Sequence, residues 1–191
     1  MAVYTKINKK DISYINSKFD IEEFISFQGI KQGIENTNYL LKSKKNKFIL
    51  TIFEKRVSDK ELPFFMQLMQ ILNHYKINCP KPIKNNEGSY LINLKNKKAC
   101  IVTFLEGKDK KNLNIKNCFE IGKIIARMHS ITKNIKLYRK NSMGISNLNP
   151  LLKLIMLKSK KFNYLEKFLK NNLNNIKKQW PKNLPKGVIH G

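Results

Sequence analysis

The sequence predicts an α+β chain in two parts: an antiparallel sheet with one inserted helix, then a region built only of helices. Three observations predict it. β-prone segments recur between polar turns through the first hundred residues, one amphipathic stripe interrupts them, and from Glu106-Gly107-Lys108 onward apolar residues repeat only at helical steps. A boundary near residue 106 follows, with an N-terminal lobe of residues 1–105 and a helical C-terminal lobe of residues 106–191.

The elements follow in order. Ile12, Ile15 and Phe19 sit at helical spacing, with Asp11 suited to the N-terminal end of that short helix. Phe24 to Phe27 is β-prone, a loop containing Gly29 and Gly33 follows, and Tyr39 to Leu41 resumes the strand pattern. After a polar turn at Lys44 to Lys47, Phe48 to Phe53 is the strongest strand in the chain. The next helix carries Leu62, Phe65, Leu68, Met69 and Leu72 on one stripe. Ser58 with Glu61 reads as a capping box for it, whereas Pro63 fits best at the first helical position, and a single helix start cannot satisfy both. Cys79-Pro80-Lys81-Pro82 forces extended backbone. Strands at Ser89 to Leu94 and Ala99 to Leu105 complete five β segments, with the turn Lys95 to Lys98 between them.

Beyond the boundary, Ile121, Ile124, Ile125 and Met128 mark one amphipathic helix, and Phe162, Leu165, Leu169, Leu173, Ile176 and Trp180 a longer one. Between them lie a loop from Asn141 to Pro150 and a short apolar segment from Leu151 to Leu157. Val188-Ile189-His190-Gly191 reads as a strand entering a turn.

Composition limits the function classes. With 41 % hydrophobic residues over 191 positions the chain has material for a real core and is not wholly disordered. No apolar run nears the roughly 20 residues of a membrane-spanning helix, and the first twenty residues lack the apolar stretch of a secretory signal. A cytoplasmic location and no membrane partner are expected. A net charge of +25 points first to nucleic acid or an anionic surface. However, 35 of the 38 basic residues are Lys and only Arg56, Arg127 and Arg139 are Arg, the residue best suited to bidentate phosphate and base contacts. Lys, together with 24 Asn and 24 Ile, is encoded by A/T-rich codons, and the lysines are scattered along the chain. The charge is therefore read as genome composition, and no nucleic-acid partner is expected. Cys79, Cys100 and Cys118, like the three histidines, are too dispersed for a zinc or disulfide framework and read as reduced, mostly buried thiols.

A sheet lobe, a short linker and a helical lobe are the plan of kinase-like folds, in which nucleotide lies between the lobes. Phosphoryl transfer needs backbone N–H groups and cations on the phosphates and a carboxylate that accepts the alcohol proton. The loop from Phe27 to Tyr39 can supply the first of these: Gly29 and Gly33 let backbone approach a phosphate, and Asn36, Thr37 and Asn38 carry donors. Its G-x-x-x-G spacing is neither a Walker loop nor a dinucleotide fingerprint, so an ordinary hairpin turn explains it equally well.

Several co-linear motifs raise the specificity. Gly29-Ile30 with Glu35 to Leu41, the run Phe48 to Val57, Glu61 to Met69, Cys79 to Pro82, Ile101 to Gly107, Ala126 to His129 and Trp180 to His190 together resemble the homoserine kinases of the aminoglycoside-phosphotransferase-like type. The resemblance covers nearly the whole chain. It implies a protein-kinase-like bilobal fold that moves the γ-phosphate of ATP to the hydroxyl of L-homoserine in threonine biosynthesis, with Mg²⁺. It also implies that Gly29 to Asn38 form the phosphate loop and that Thr103, Phe104 and Leu105 form the hinge on the adenine edge. Where broader relatives carry a phosphate-gripping Lys or Arg, this sequence has Thr51, leaving Lys55 and Arg56 as candidate cations and Glu61 as a candidate partner for one of them.

In that family His-Gly or His-Ala is followed at once by the catalytic Asp, then by an Asn and later by an Asp that binds Mg²⁺. The sequence ends at His190-Gly191. The resemblance thus implies a fragment with an incomplete helical lobe, no catalytic or metal-binding carboxylate of its own and no measurable kinase activity, with His190 supporting the catalytic loop. Rival readings are a phosphotransferase of the same fold acting on choline, methylthioribose or an aminoglycoside and, from another class, a basic nucleic-acid-binding protein.

Overall fold

Asn8 begins the first helix, α1 (Lys9–Lys18), through a reciprocal box in which its side chain accepts from the Asp11 N–H at 3.2 Å and the Asp11 carboxylate accepts from the Asn8 N–H at 2.8 Å. Asp11 lies at the N-terminal end as expected, as the third helical residue closing this box. The computed structural model describes residues 3–54, 57–141, 144–158, 164–185 and 187–189. Its backbone forms two compact units, one of residues 1–137 with 189–191 and one of residues 138–188.

The first unit is built on a five-stranded, wholly antiparallel sheet: β1 (Ser26–Gly29), β2 (Thr37–Lys42), β3 (Lys47–Ile52), β4 (Ile92–Leu94) and β5 (Lys97–Thr103), in the order β1-β2-β3-β5-β4. Leu50 lies opposite both Tyr39 and Ile101, which stacks Tyr39, Leu41, Phe48, Leu50, Ile52, Ala99 and Ile101 on one face. Ile12, Ile15 and Phe19 of the α1 region close that face. On the other face α2 (Leu62–His74) lays Met66 on Cys100 and Val102, with Phe65 and Met69 half-buried beside them. Ala99 to Val102 are therefore buried without alternation, because both faces of β5 are covered.

The two rival starts of α2 both exist, in series. Ser58 and Glu61 box a single 3-10 turn (Asp59–Glu61), and α2 begins directly after it with Pro63 in its first turn, where no N–H is needed. Lys95 and Asn96 both take left-handed φ, 52° and 59°, as a two-residue hairpin turn requires. That short turn admits Lys97 and Lys98 to β5, and the strand ends at Thr103, beside the start of β3, two residues earlier than the sequence pattern predicted. Cys100 is buried and its thiol is pushed up to about 12 by desolvation, and burial also raises the half-buried Cys79; Cys118 is exposed, unlike the buried thiols expected.

The unit also contains α3 (Ile115–Thr132), capped by Asn114, with Arg127 donating to the Tyr75 carbonyl at 2.8 Å just past α2. The second unit contains α4 (Ile145–Lys158) and α5 (Glu166–Gln179). Residues 145–150, expected as loop, form the start of α4. Pro150 sits inside the helix and removes one backbone hydrogen bond from it. Val188 and Ile189 take no strand conformation; Phe162, His190 and Gly191 lie outside the described residues. No helix among the described residues is long and apolar enough to cross a membrane.

Candidate nucleotide site

Gly29 to Asn38 with Thr51, and Thr103 to Leu105, fall in the sheet-bearing unit, on two opposite ends of the strands. The loop of residues 30–36 joins β1 to β2 at one end, and Thr103 to Leu105 leave β5 at the other. Thr37 and Ala99 both face Ile52 in the register, so four strand residues, about 13 Å at the usual rise, separate the loop end from Thr103.

Of the three candidate hinge residues, Leu105 has an open N–H. The Thr103 N–H donates to the Lys81 carbonyl at 3.0 Å and the Phe104 N–H to the Lys47 carbonyl at 3.3 Å, while the Thr103 hydroxyl accepts from the Lys81 N–H at 2.9 Å. No bond to the Leu105 N–H occurs among the described residues. Thr103 and Phe104 can thus offer only carbonyls to a base edge. Lys47 steadies this turn, its ammonium 5.3 Å from the centre of the Phe104 ring and 2.8 Å from the exposed Glu106 carboxylate. That ion pair ties Glu106, just past Leu105, to the start of β3.

At the loop end, Asn38, Thr51 and Cys100 form one row across the sheet on the α2 face. The Thr51 hydroxyl donates to Asn38 Oδ1 at 2.8 Å, which fixes the Asn38 amide and leaves its Nδ2 hydrogens for another acceptor. The loop glycines differ in purpose. Gly33 has φ +97° with open space around it, so only a glycine takes that tip without strain. A Cβ on Gly29 would stand 3.0 Å from Val3 Cγ2, so its smallness serves the N-terminal segment and not a ligand. The N–H groups of Lys31, Gln32, Gly33 and Ile34 make no hydrogen bond among the described residues.

Thr37 departs most from expectation. It is fully buried, accepts from the Tyr4 and Thr5 N–H groups at 2.9 and 3.1 Å, and gives its proton to Glu54 Oε1 at 2.7 Å. A hydroxyl has one proton, so Thr37 has none for a phosphate. Asn36 is likewise engaged through Oδ1, which accepts from the Glu54 N–H at 3.4 Å. Glu54 also accepts from the Thr5 hydroxyl at 2.8 Å and pairs with Lys97. Burial alone would raise its carboxyl, but the hydrogen bonds from Lys97, Thr37 and Thr5 and the Lys97 charge outweigh that and hold it below the ordinary carboxylate range. The sequence reading missed Glu54 and Lys97. The one available signal was a charged residue directly after the strand pattern ending at Phe53. Lys55 and Arg56 lie outside the described residues, and Glu61 serves the Ser58 box.

Comparison with known proteins bears on what such a site belongs to. Over the whole chain, 38 % of positions are identical to a homoserine kinase of Bradyrhizobium diazoefficiens and 37 % to one of Bartonella tribocorum. The chain spans 59–60 % of the length of these curated relatives. Among solved structures, an amicoumacin kinase in complex with AMP-PNP, Ca²⁺ and Ami superposes with a TM-score of 0.62 at 15 % identity, over 93 % of this chain and 55 % of that one. A spectinomycin phosphotransferase in complex with ADP and spectinomycin gives 0.59 at 16 % identity, over 91 % and 56 %. At such identities the likeness is one of fold, and it agrees with the kinase-like α+β class expected from the sequence. Residues 26–191 match the phosphotransferase enzyme family, and the chain belongs to it.

Proposed function

We propose that the chain is the nucleotide-binding part of an ATP-dependent kinase that converts L-homoserine to O-phospho-L-homoserine, a step in threonine biosynthesis. The observation that carries this reading is the similarity to relatives named homoserine kinase, at 37–38 % identity over the full length of the chain. The geometry supports the nucleotide half of it. The Leu105 N–H donates to the adenine edge, with the Thr103 and Phe104 carbonyls as acceptors beside it. The free N–H groups of Lys31 to Ile34 and the Asn38 amide take the phosphates, with Gly33 giving the loop tip its left-handed turn. Thr51 acts by orienting Asn38, and Thr37 by holding the loop end.

ATP supplies the transferred γ-phosphoryl group when bound. Mg²⁺ is the usual companion of such phosphates, held through one or two carboxylates and waters. Among the described residues no three His, Cys, Asp or Glu side chains converge on one point, and Glu54, a buried carboxylate near the loop, is committed to Lys97. These residues do not fit a Mg²⁺ site. The chain's own part is to bind the base, to place the phosphates against backbone N–H dipoles and to exclude the Thr37 and Glu54 side chains from contact with them.

The test is ADP release from the product of the complete gene, assayed with L-homoserine, choline, methylthioribose and an aminoglycoside as acceptors. Turnover selective for homoserine is the expected result. Preference for another acceptor overturns the substrate and keeps the reaction class, and failure of the protein to bind ATP overturns both.

A further inference from the structure

The residues just ahead of α1 are tied to the candidate phosphate loop at three separate places. The Tyr4 hydroxyl donates to the Ile34 carbonyl at 3.0 Å, near the loop tip. The Tyr4 and Thr5 N–H groups converge on Thr37 Oγ1, where the loop enters β2. Val3 packs on Gly29, where the loop leaves β1. Behind these contacts one carboxylate gathers the rest: Glu54 takes the Thr5 and Thr37 hydroxyl protons on Oε1 and Lys97 on Oε2, while the Glu54 N–H reaches Asn36. Lys97 closes the ring by donating to the Thr5 hydroxyl at 2.7 Å. Every side-chain group in this ring is used consistently, since each hydroxyl donates once to Glu54 and accepts from nitrogen.

A strand junction alone does not demand such an arrangement. The ladder between β1 and β2 already ends in the Ile30 N–H to Asn38 carbonyl bond at 2.8 Å, and the Tyr4 contact lies beyond it, on loop backbone that no strand holds. An exposed loop with a glycine tip loses much conformational freedom when it closes on a ligand, and a loop ordered beforehand loses less.

We propose that Tyr4, Thr5, Thr37, Glu54 and Lys97 form a brace that orders the loop of residues 30–36 before nucleotide arrives, so that these residues, touching no nucleotide themselves, set its affinity. They are positioning residues, and the affinity half of the inference rests on the nucleotide reading above. Tyr4→Phe removes a single hydroxyl at the surface. Glu54→Gln keeps the shape and removes the charge that collects the ring.

The experiment uses the full 191-residue chain and two readouts. The first is the ¹⁵N order parameter of the Lys31 to Ile34 amides without ligand, expected near 0.8 in the parent and below about 0.6 in Tyr4→Phe and Glu54→Gln. The second is ADP affinity by calorimetry, expected to weaken about five- to tenfold in the same variants, the scale of one or two lost hydrogen bonds. Thr5→Ser retains the hydroxyl and is expected to keep both parent values, while Thr5→Val loses them. A merely structural role would loosen Leu50 and Ile101 together with the loop, whereas the brace confines the loosening to Lys31 to Ile34 even where Tm falls. Unchanged loop order in both Tyr4→Phe and Glu54→Gln overturns the brace, whatever the affinity does. A loop that loosens in a chain whose parent form binds no ADP upholds the brace and overturns the nucleotide reading.

Discussion

The sheet and the helices after it use the same kind of residue in opposite ways. In the sheet, Leu41, Leu50, Ile52 and Ile101 have no exposed surface, because α1 covers one face and α2 the other. On α3, by contrast, Ile115 is 90 % and Phe119 66 % exposed, and Ile124 and Phe168 on α3 and α5 are also open. In the second unit Leu173 is the buried apolar residue among those described. The contrast separates a region whose core is complete in itself from helices that have the amphipathic pattern without a cover for it among the described residues. Helical pattern and helical burial are thus different properties, and stability follows burial.

The sharpest way to break that contrast is a pair of truncations. Leu50→Ala empties a fully closed site and is expected to cost about 3–4 kcal/mol, whereas Ile124→Ala on α3 is expected to stay within about 0.5 kcal/mol. Urea unfolding followed by circular dichroism measures both. Equal costs would mean that the α3 face is covered in solution.

A second test compares charges. The Glu54 side chain is 11 % exposed, Lys97 is its cation, and Glu54→Gln is expected to cost about 2 kcal/mol, since Lys97 would keep a half-buried charge without its partner. The pH sign follows from the depressed carboxyl. The folded state binds this proton less readily than the unfolded one, so the contribution is complete above about pH 4.5 and is lost as pH falls through the lower folded value. Tm against pH in the parent is expected to fall more steeply below pH 4.5 than in Glu54→Gln. Parallel curves would show that the pair carries no linked stability.

These two tests fall where the sequence was legible and where it was not. All five strands, α1 and α2 could be read from it because alternation and helical spacing record which face is buried, and a sheet covered on both sides leaves strong runs such as Ala99 to Val102. The start of β5 could not, since it depends on the two-residue turn at Lys95 and Asn96, where neither residue is a glycine. The start of α4 was hidden by Pro150, which reads as a breaker until the helix around it is seen. In the candidate site, the Gly33 tip and the Asn38 amide were visible as residue types. The role of Thr37 was not, because it is decided by Tyr4, Thr5 and Glu54, partners 17 to 33 positions away. Local pattern carries no information about pairings at that range.

The smallest effect tests the same contrast between matched ion pairs. Lys170 and Glu166 pair one turn apart on α5, with side chains 59 % and 42 % exposed. Glu54 and Lys97 are the same two residue types, so composition predicts equal worth for the two pairs. Burial predicts otherwise. Water and salt screen the α5 pair, and holding two long side chains together offsets part of the attraction, leaving about 0.3–0.5 kcal/mol. Glu166→Gln is therefore expected to lower helicity slightly in low salt and to have no measurable effect in 1 M NaCl, where the screening length is about 3 Å. Glu54→Gln is expected to keep more of its cost at that ionic strength, because the Glu54 carboxylate is 11 % exposed and also accepts from the Thr5 and Thr37 hydroxyls, which salt does not screen. Equal salt sensitivity of the two variants would mean that the carboxylate beside the loop is as well solvated as the one on the helix.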